Sequence, residues 1–416
     1  MVLKRKAHRK SRNGCIACKQ RRIKCSEEKP KCSHCVRHDV ACIYKILDAP
    51  QRATSTTSHA SPCFQAESRA SSQHASSPGI AVTALNHGRA AVQSQTSFEL
   101  HDLALLHHWM LFTSRSIVAS PQVDHYWHTV FPEIGFKHNY VMHGILSLAA
   151  LHIAYLHPMD RRLHMPTAAQ HHALALGGFR KDMESIGPHN ADALFASASL
   201  MFFYAFLTFG KLYNVDNEND SVAIRTSRVL GTTWIPLVRG IKAVLDPTYE
   251  YVKNGPLQGT LTLSGWEEMD PDKQGCPDDP YLLRIRTTWQ GDNNAQTYDE
   301  TLHVLRKAVA WLAYFQGLPK EAQAEWGYNR DWSAPFVWLS IAPEKYFVLQ
   351  RQRQPLALLL FAYFGVLLQR LDGLWWLDSC GKSIVQAVDE CLGSYWQSWM
   401  DWPLRVVGLR QGENIA

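Results

Sequence analysis

Six cysteines near the start, Cys15, Cys18, Cys25, Cys32, Cys35 and Cys42, constrain this chain more than any other feature. Their spacing, C-x₂-C-x₆-C-x₆-C-x₂-C-x₆-C, is an internal repeat. CIACKQRRIKC and CSHCVRHDVAC follow one rule, the second copy displaced by 17 residues. Thiolates at C-x₂-C spacing can chelate one soft divalent ion, and tetrahedral zinc at about 2.3 Å per sulfur is the usual occupant. Six thiolates give two zinc ions four ligands each only if two sulfurs are shared. The pseudo-symmetry invites that sharing between equivalent positions, the first cysteine of each half, Cys15 and Cys32. The competing reading, a disulfide framework, needs an oxidising compartment, and the opening MVLKRKAHRK is far too polar for a secretory signal.

Charge orients the repeat. Residues 1–45 carry 14 Lys/Arg against 3 Asp/Glu, while the 416-residue chain nets only +6, so the rest is mildly acidic. A small basic head on an acidic body suits a polyanionic partner. The loop of the first half, Lys19-Gln20-Arg21-Arg22-Ile23-Lys24, is basic; its counterpart, Val36-Arg37-His38-Asp39-Val40-Ala41, is not. Only the first half faces DNA favourably. A short helix there would present Arg21 and Arg22 at a groove, where arginine can bond the O6/N7 edge of guanine bidentately. Lys19, Lys24 and Arg12 suit phosphates, Ile23 is expected to pack inward, and Pro30 stiffens the joining loop. Lys4, Arg5, Lys6, Arg9 and Lys10 read as a nuclear localisation signal, a phosphate-gripping arm, or both.

The cysteine stretch resembles the DNA-binding domain of the fungal binuclear zinc cluster transcription factors and matches it at every cysteine. The resemblance implies that Cys15 and Cys32 bridge both ions, that Cys18 and Cys25 complete one site, and that Cys35 and Cys42 complete the other. It further implies that the helix with Arg21 and Arg22 enters the major groove of double-stranded DNA at a CGG-like triplet.

Residues 46–97, rich in Ser, Ala, Thr and Gln and poor in large apolar residues, read as a disordered linker. No a/d heptad follows Cys42, which argues against a zipper dimer beside the cluster. Helical periodicity returns at Phe98. Val141–Leu156, Ala168–Ile186 and Ala191–Phe209 (with Asn190 as its N-cap) read as helices. So do a stretch with Leu302, Leu305, Val309 and Leu312 on one face, Leu356–Leu371 with Pro355 in its first turn, and a last amphipathic helix through Ile384, Val388, Cys391, Tyr395 and Trp399. Residues 211–232 and 246–300 read as loops and insertions. The apolar runs Leu194–Phe209 and Leu356–Leu368 fall short of a membrane span and read as buried helices. The expected architecture is a two-zinc head (1–45), a linker (46–97) and a mostly α-helical body (98–416).

Blocks of the body, among them FELHDLALLHHWMLFTSRS, HGILSLAALHIAYLHP, NADALFASASLMFFYAF and PLALLLFAYFGVLLQRLDGLWWL, resemble the regulatory domain of the sterol uptake control proteins. That resemblance implies a helical domain that dimerises and, in some members, binds a sterol in an apolar pocket. Other members regulate secondary-metabolite gene clusters. Phe202, Tyr204, Phe361, Phe364 and Trp375 are candidate pocket residues, with plain core as the competing reading. The adjacent histidine pairs His107-His108 and His171-His172 point to different helix faces, and no H-E-x-x-H occurs. Gly381-Lys382-Ser383 lacks the earlier glycine of a phosphate loop, Trp376 standing in its place. Without a catalytic constellation, the expectation is no enzyme. It is instead a nuclear, DNA-binding regulator of RNA polymerase II genes that engages the transcription machinery and pairs through its helical body. The alternative is a ligand sensor whose body masks the head.

Overall fold

The computed structural model describes residues 18, 21, 23, 25–27, 31–38, 42, 98–118, 125–207, 209–214, 222–261, 265–319, 322–323 and 332–410. The expected linker lies outside them. The chain divides into two compact units, Met1–Ala91 and Val92–Ala416. In the first, α1 (Ser33–Arg37) follows Cys32, whose extended backbone and side chain form its N-cap. The second unit is helical, and no strand occurs among the described residues.

The body opens with α2 (Leu100–His108), which passes through a π-helical turn at Trp109–Thr113 into Ser114–Ser116. A second π-helical turn, Tyr126–Val130, leads into α3 (Phe131–Gly135). Then come α4 (Asn139–Leu156), α5 (Arg161–Asp182), α6 (Ala191–Leu207), α7 (Val222–Val229), α8 (Trp234–Val252) and α9 (Ala295–Gly317). The last five longer helices are α10 (Ala334–Ile341), α11 (Glu344–Arg351), α12 (Pro355–Gln369), α13 (Cys380–Leu392) and α14 (Gln397–Val406). α4 is long and apolar enough to cross a membrane, but 78% of it is buried inside the body, as a core helix is. Its α5 partner returns across a short turn at Pro158–Asp160.

Apolar periodicity locates most of these helices, and the packing follows from it. On α9, Leu302, Leu305, Val309 and Leu312 are all buried, the face that the spacing marks. Tryptophan N–H groups knit the core to distant backbone. Trp109 donates to the Trp127 carbonyl at 3.0 Å, Trp376 to Ile117 at 2.8 Å, and Trp338 to Thr301 at 3.1 Å. Each buried ring thereby satisfies its own polar atom, which a dry core requires. The glycine of the Gly381-Lys382-Ser383 stretch also has a packing role. A Cβ there would lie 2.5 Å from the Gly365 carbonyl oxygen, so this residue lets α13 approach the backbone of α12.

Four expectations are corrected. α5 begins at Arg161 rather than Ala168 and runs through Pro166, although proline removes one backbone donor from a helix interior. The last amphipathic stretch is two helices, because Gly393 takes φ +74° and ends α13. Residues 211–232 and 246–300 hold helical pieces, including α7, the end of α8, Pro271–Gln274 and Asp279–Ile285. Asn190 stands just before α6, but its side chain serves the preceding loop. It accepts from Gly187 N–H at 3.0 Å and donates to the carbonyls of Asp182 and Ser185.

Histidines fill the seam between α2, α4 and α5. His108 Nε2 lies 3.3 Å from His152 Nδ1, which also meets Thr113 Oγ1 at 2.9 Å. His143 Nδ1 lies 3.0 Å from His171 Nδ1, and His171 Nε2 meets Asp102 at 3.2 Å. Burial lowers the pKa of His108 and His152 to about 4, helped by neighbouring histidines. The unfolded chain therefore binds protons here that the folded chain refuses. The stabilising contribution is full above the unfolded value near 6.5 and is lost as pH falls toward 4. The body is expected to melt at a lower temperature at pH 5 than at pH 7, and His152→Gln to shrink that difference. Thermal denaturation followed by circular dichroism checks it; an identical pH response in the variant would disprove the assignment.

Candidate zinc cluster and nucleic-acid interface

In the head, local chain direction gathers sulfur. The Sγ atoms of Cys18, Cys32 and Cys35 lie within 4.8 Å of one another and all three residues are buried. Cys18 Sγ and Cys32 Sγ are 3.6 Å apart, close to the edge of about 3.8 Å that tetrahedral zinc with 2.3 Å bonds would impose. Cys25 is buried in the same cluster, and Cys42 packs against it.

Backbone N–H groups point at these sulfurs. Cys35 N–H donates to Cys32 Sγ at 3.4 Å, Cys32 N–H to Cys42 Sγ at 3.2 Å, and Glu27 N–H to Cys25 Sγ at 3.4 Å. Glu27 reaches that geometry with φ +61°. Such donors stabilise thiolate over thiol. Burial alone would push the Cys32 thiol up, but the Cys35 backbone and the thiols of Cys35, Cys18 and Cys25 outweigh it and bring it down to about 6. The donor set, its spacing and its readiness to ionise all fit zinc. Cys15, the other bridging candidate, lies outside the described residues.

Of the expected DNA contacts, Arg21 is described. It is exposed in a turn, which Ile23 N–H closes by bonding the Cys18 carbonyl at 3.1 Å. Arg22, Lys19, Lys24 and Arg12 lie outside the described residues. Ile23, expected to pack inward, is 36% exposed. Among the described residues the cluster interior is taken by sulfur, and none of them forms an apolar pocket for Ile23. The backbone donors to sulfur have no sequence signature, because any residue but proline supplies an N–H.

The five candidate pocket residues do not gather into one pocket, although Phe361 and Phe364 stack on each other. Phe202 lines a cleft of about 450 Å³ between α6, α8 and α10. Tyr204 stacks on His172 with ring centroids 3.6 Å apart. Phe361 and Phe364 are fully buried in the core, where Phe364 stacks on Trp338. Trp375 packs on His152 at 4.5 Å. Further cleft walls come from Trp127, Phe203, Trp332 and Phe336, aromatics that sequence reasoning could not separate from core.

The comparisons agree with this geometry. Residues 13–50 match the fungal Zn(2)-Cys(6) binuclear cluster domain, and residues 104–217 match the fungal specific transcription factor domain. The pair defines a class of protein, a metal-dependent DNA-binding head ahead of a helical regulatory region. The chain thus carries a Zn(2)-Cys(6) binuclear cluster domain, which binds two zinc ions, and a fungal specific transcription factor domain, and it is similar to proteins named Zn(2)-C6 fungal-type transcription factors. It is therefore a DNA-binding transcription factor and not an enzyme.

One similar protein is a Zn(2)-C6 fungal-type transcription factor of Gibberella zeae, 25% identical over 464 residues that cover 99% of this chain and 88% of the relative. Another is the transcription factor afumD of Aspergillus fumigatus, 29% identical over 60% of this chain and 58% of the relative. Sterol uptake control protein 2 of Candida albicans is 54% identical, but over 41 residues, 10% of this chain and 6% of that protein. That match lies on the DNA-binding region and not on the helical body.

Proposed function

We propose that this transcription factor acts in the nucleus on RNA polymerase II genes of a metabolic or secondary-metabolite pathway. Residues 1–45 are the head, 46–97 a disordered linker, and 98–416 a regulatory domain through which two copies pair and the transcription machinery is engaged. Arg21 and Arg22 read a CGG-like triplet, and Lys19, Lys24 and Arg12 grip phosphates. The observation that supports this most is the buried thiol cluster with Arg21 exposed in a turn beside it. An electrophoretic shift on CGG-containing DNA against scrambled DNA tests the reading.

Variants separate the roles. Arg22→Ala is expected to relax base preference, a loss of about 1–3 kcal/mol of discrimination. Replacing Lys4, Arg5 and Lys6 by alanine is expected to weaken binding to all sequences and to flatten the salt dependence, by a slope of about 0.9 for each phosphate no longer neutralised. Equal behaviour of the two variants would refute the division into readers and phosphate holders.

A second reading is favoured by the cleft in the body. Here the body takes up a sterol, other lipid or similar apolar molecule, and that ligand controls whether the body masks the head.

A further inference from the structure

The aromatic cleft has a polar feature that packing does not explain. Ser333 sits at the N-cap of α10 but caps nothing with its side chain. The residue is 5% exposed, and its Oγ has no hydrogen-bond partner. The other serine and threonine hydroxyls on the wall are already engaged, and the remaining hydroxyl residue, Tyr249, is 41% exposed. Ser199 Oγ donates to the Phe195 carbonyl at 2.9 Å, Ser340 Oγ to Phe336 at 2.9 Å, and Thr260 Oγ1 to Leu257 at 2.6 Å. Among the described residues Ser333 is thus the buried hydroxyl of this cleft with a donor to offer. Its position at the start of α10 adds the positive end of the helix dipole, although Pro335 has no N–H and the Phe336 and Val337 N–H groups already bond the Ser333 carbonyl. A ligand group that answers both is an acceptor oxygen.

The remaining wall sets the rest of the ligand. Trp127, Phe202, Phe203, Trp332 and Phe336 present ring faces and edges, an arrangement that favours flat ring systems in stacked or edge-to-face contact. Phe202 and Phe336 already stand edge to face, 4.6 Å apart at 83°. At the rim, Lys242 Nζ and Asp246 pair at 2.8 Å, with both side chains largely exposed, so their charges cancel. An ionic ligand gains little there. About 450 Å³ is within the range of small-molecule sites.

We infer that the cleft binds a neutral, flat, ring-bearing small molecule that places a carbonyl or phenolic oxygen on Ser333 Oγ. The assignment builds on the ligand-sensing reading above and gives it a chemical class other than sterol or acyl lipid.

The probe is prodan, a neutral naphthyl ketone whose emission reports polarity and hydrogen bonding at its carbonyl. Titrated into the full chain, it is expected to bind saturably with blue-shifted emission and to quench tryptophan fluorescence, since Trp127 and Trp332 line the cleft. Ser333→Ala is expected to weaken binding about five- to tenfold and to shift the emission further to the blue, because the carbonyl loses its donor. Ser340→Phe, which fills the cleft from a half-buried position, is expected to abolish binding at an unchanged melting temperature. Should that variant fail to fold, the emission shift of Ser333→Ala carries the test alone.

The inference is overturned by absence of saturable binding, by an emission maximum that Ser333→Ala leaves unmoved, or by ergosterol displacing prodan at lower concentration than acetonaphthone does. A band shift measured with and without prodan keeps the two readings apart. Saturable, Ser333-dependent binding supports the site even where DNA binding is unchanged, and that unchanged DNA binding would sink ligand-controlled masking alone.

Discussion

Removing zinc is expected to abolish DNA binding, by at least about a hundredfold, while the helical body keeps its circular dichroism. The reason lies in what the head has to fold around. Among its described residues the buried cluster consists of Cys18, Cys25, Cys32 and Cys35, with Cys42 packed against it. Ile23 and Val36, apolar residues that could have joined a core, are exposed at 36% and 62%. A segment of this size whose described residues form no apolar core beyond the cysteines cannot offset the entropy of ordering its backbone. Structural zinc supplies about 10–16 kcal/mol of apparent binding free energy in comparable small domains, and that binding energy is folding energy.

Chelation followed by a shift assay on CGG-containing DNA checks it, with binding recovered when zinc is returned. Cys32→Ser is expected to mimic chelation and not to recover, since Cys32 contacts Cys18 and Cys35 and is the proposed bridging position of its half. Retained binding in the zinc-free protein would overturn the metal-dependent fold of the head.

The head and the body differ in how much their sequences disclose. Ligand spacing within a short segment is nearly geometry itself, so the six-cysteine repeat identifies its metal. The donors to sulfur stay hidden because they are backbone groups, and Glu27 gives no sign that it adopts a left-handed conformation. In the body, a period of three to four apolar residues locates α4, α6, α9 and α12 closely, since a buried helix face must recur at that interval. Periodicity does not say which buried ring faces a void. Phe202 and Phe361 both lie on apolar helices, yet one lines the cleft and the other is sealed in the core. Ser333 is invisible in the sequence for the same reason: its isolation depends on α10 meeting α6 and α8, which are far apart in the chain. The polar stretch before α9 reads as an insertion because its scattered buried residues, among them Trp266, Leu282 and Ile285, follow no sustained helical period, and its polar anchors are distant charges.

One of those anchors is Arg306. From α9 it donates Nε to Asp279 at 2.6 Å and Nη2 to the second oxygen of the same carboxylate at 2.7 Å, and Nη2 also reaches Asp272 at 2.7 Å. The guanidinium is 9% exposed and Asp279 16%, but Asp272 is 68% exposed. The pair with Asp279 is thus bidentate and mostly withdrawn from water, and its Arg306 pKa is raised by those hydrogen bonds.

Arg306→Met keeps most of the aliphatic volume and leaves Asp279 charged in a half-dry site. The expected cost is about 3–5 kcal/mol, which for a domain of this size lowers the melting temperature by roughly 4–8 °C. Asp272→Asn is expected to cost about 0–1 kcal/mol, because a solvated carboxylate loses little on leaving such a pair. The double variant Arg306→Met with Asp279→Leu should recover much of the loss, since replacing both partners of a buried pair removes the stranded charge. Thermal melts of the four proteins decide the matter. If Arg306→Met is no worse than Asp272→Asn, the Pro271–Ile285 segment is held by its apolar contacts, and Arg306 only decorates it. If the double variant recovers, α9 is the post to which the segment is tied. Because Trp338 of α10 bonds the Thr301 carbonyl of α9, loosening that post would also reach the helix that begins at Ser333.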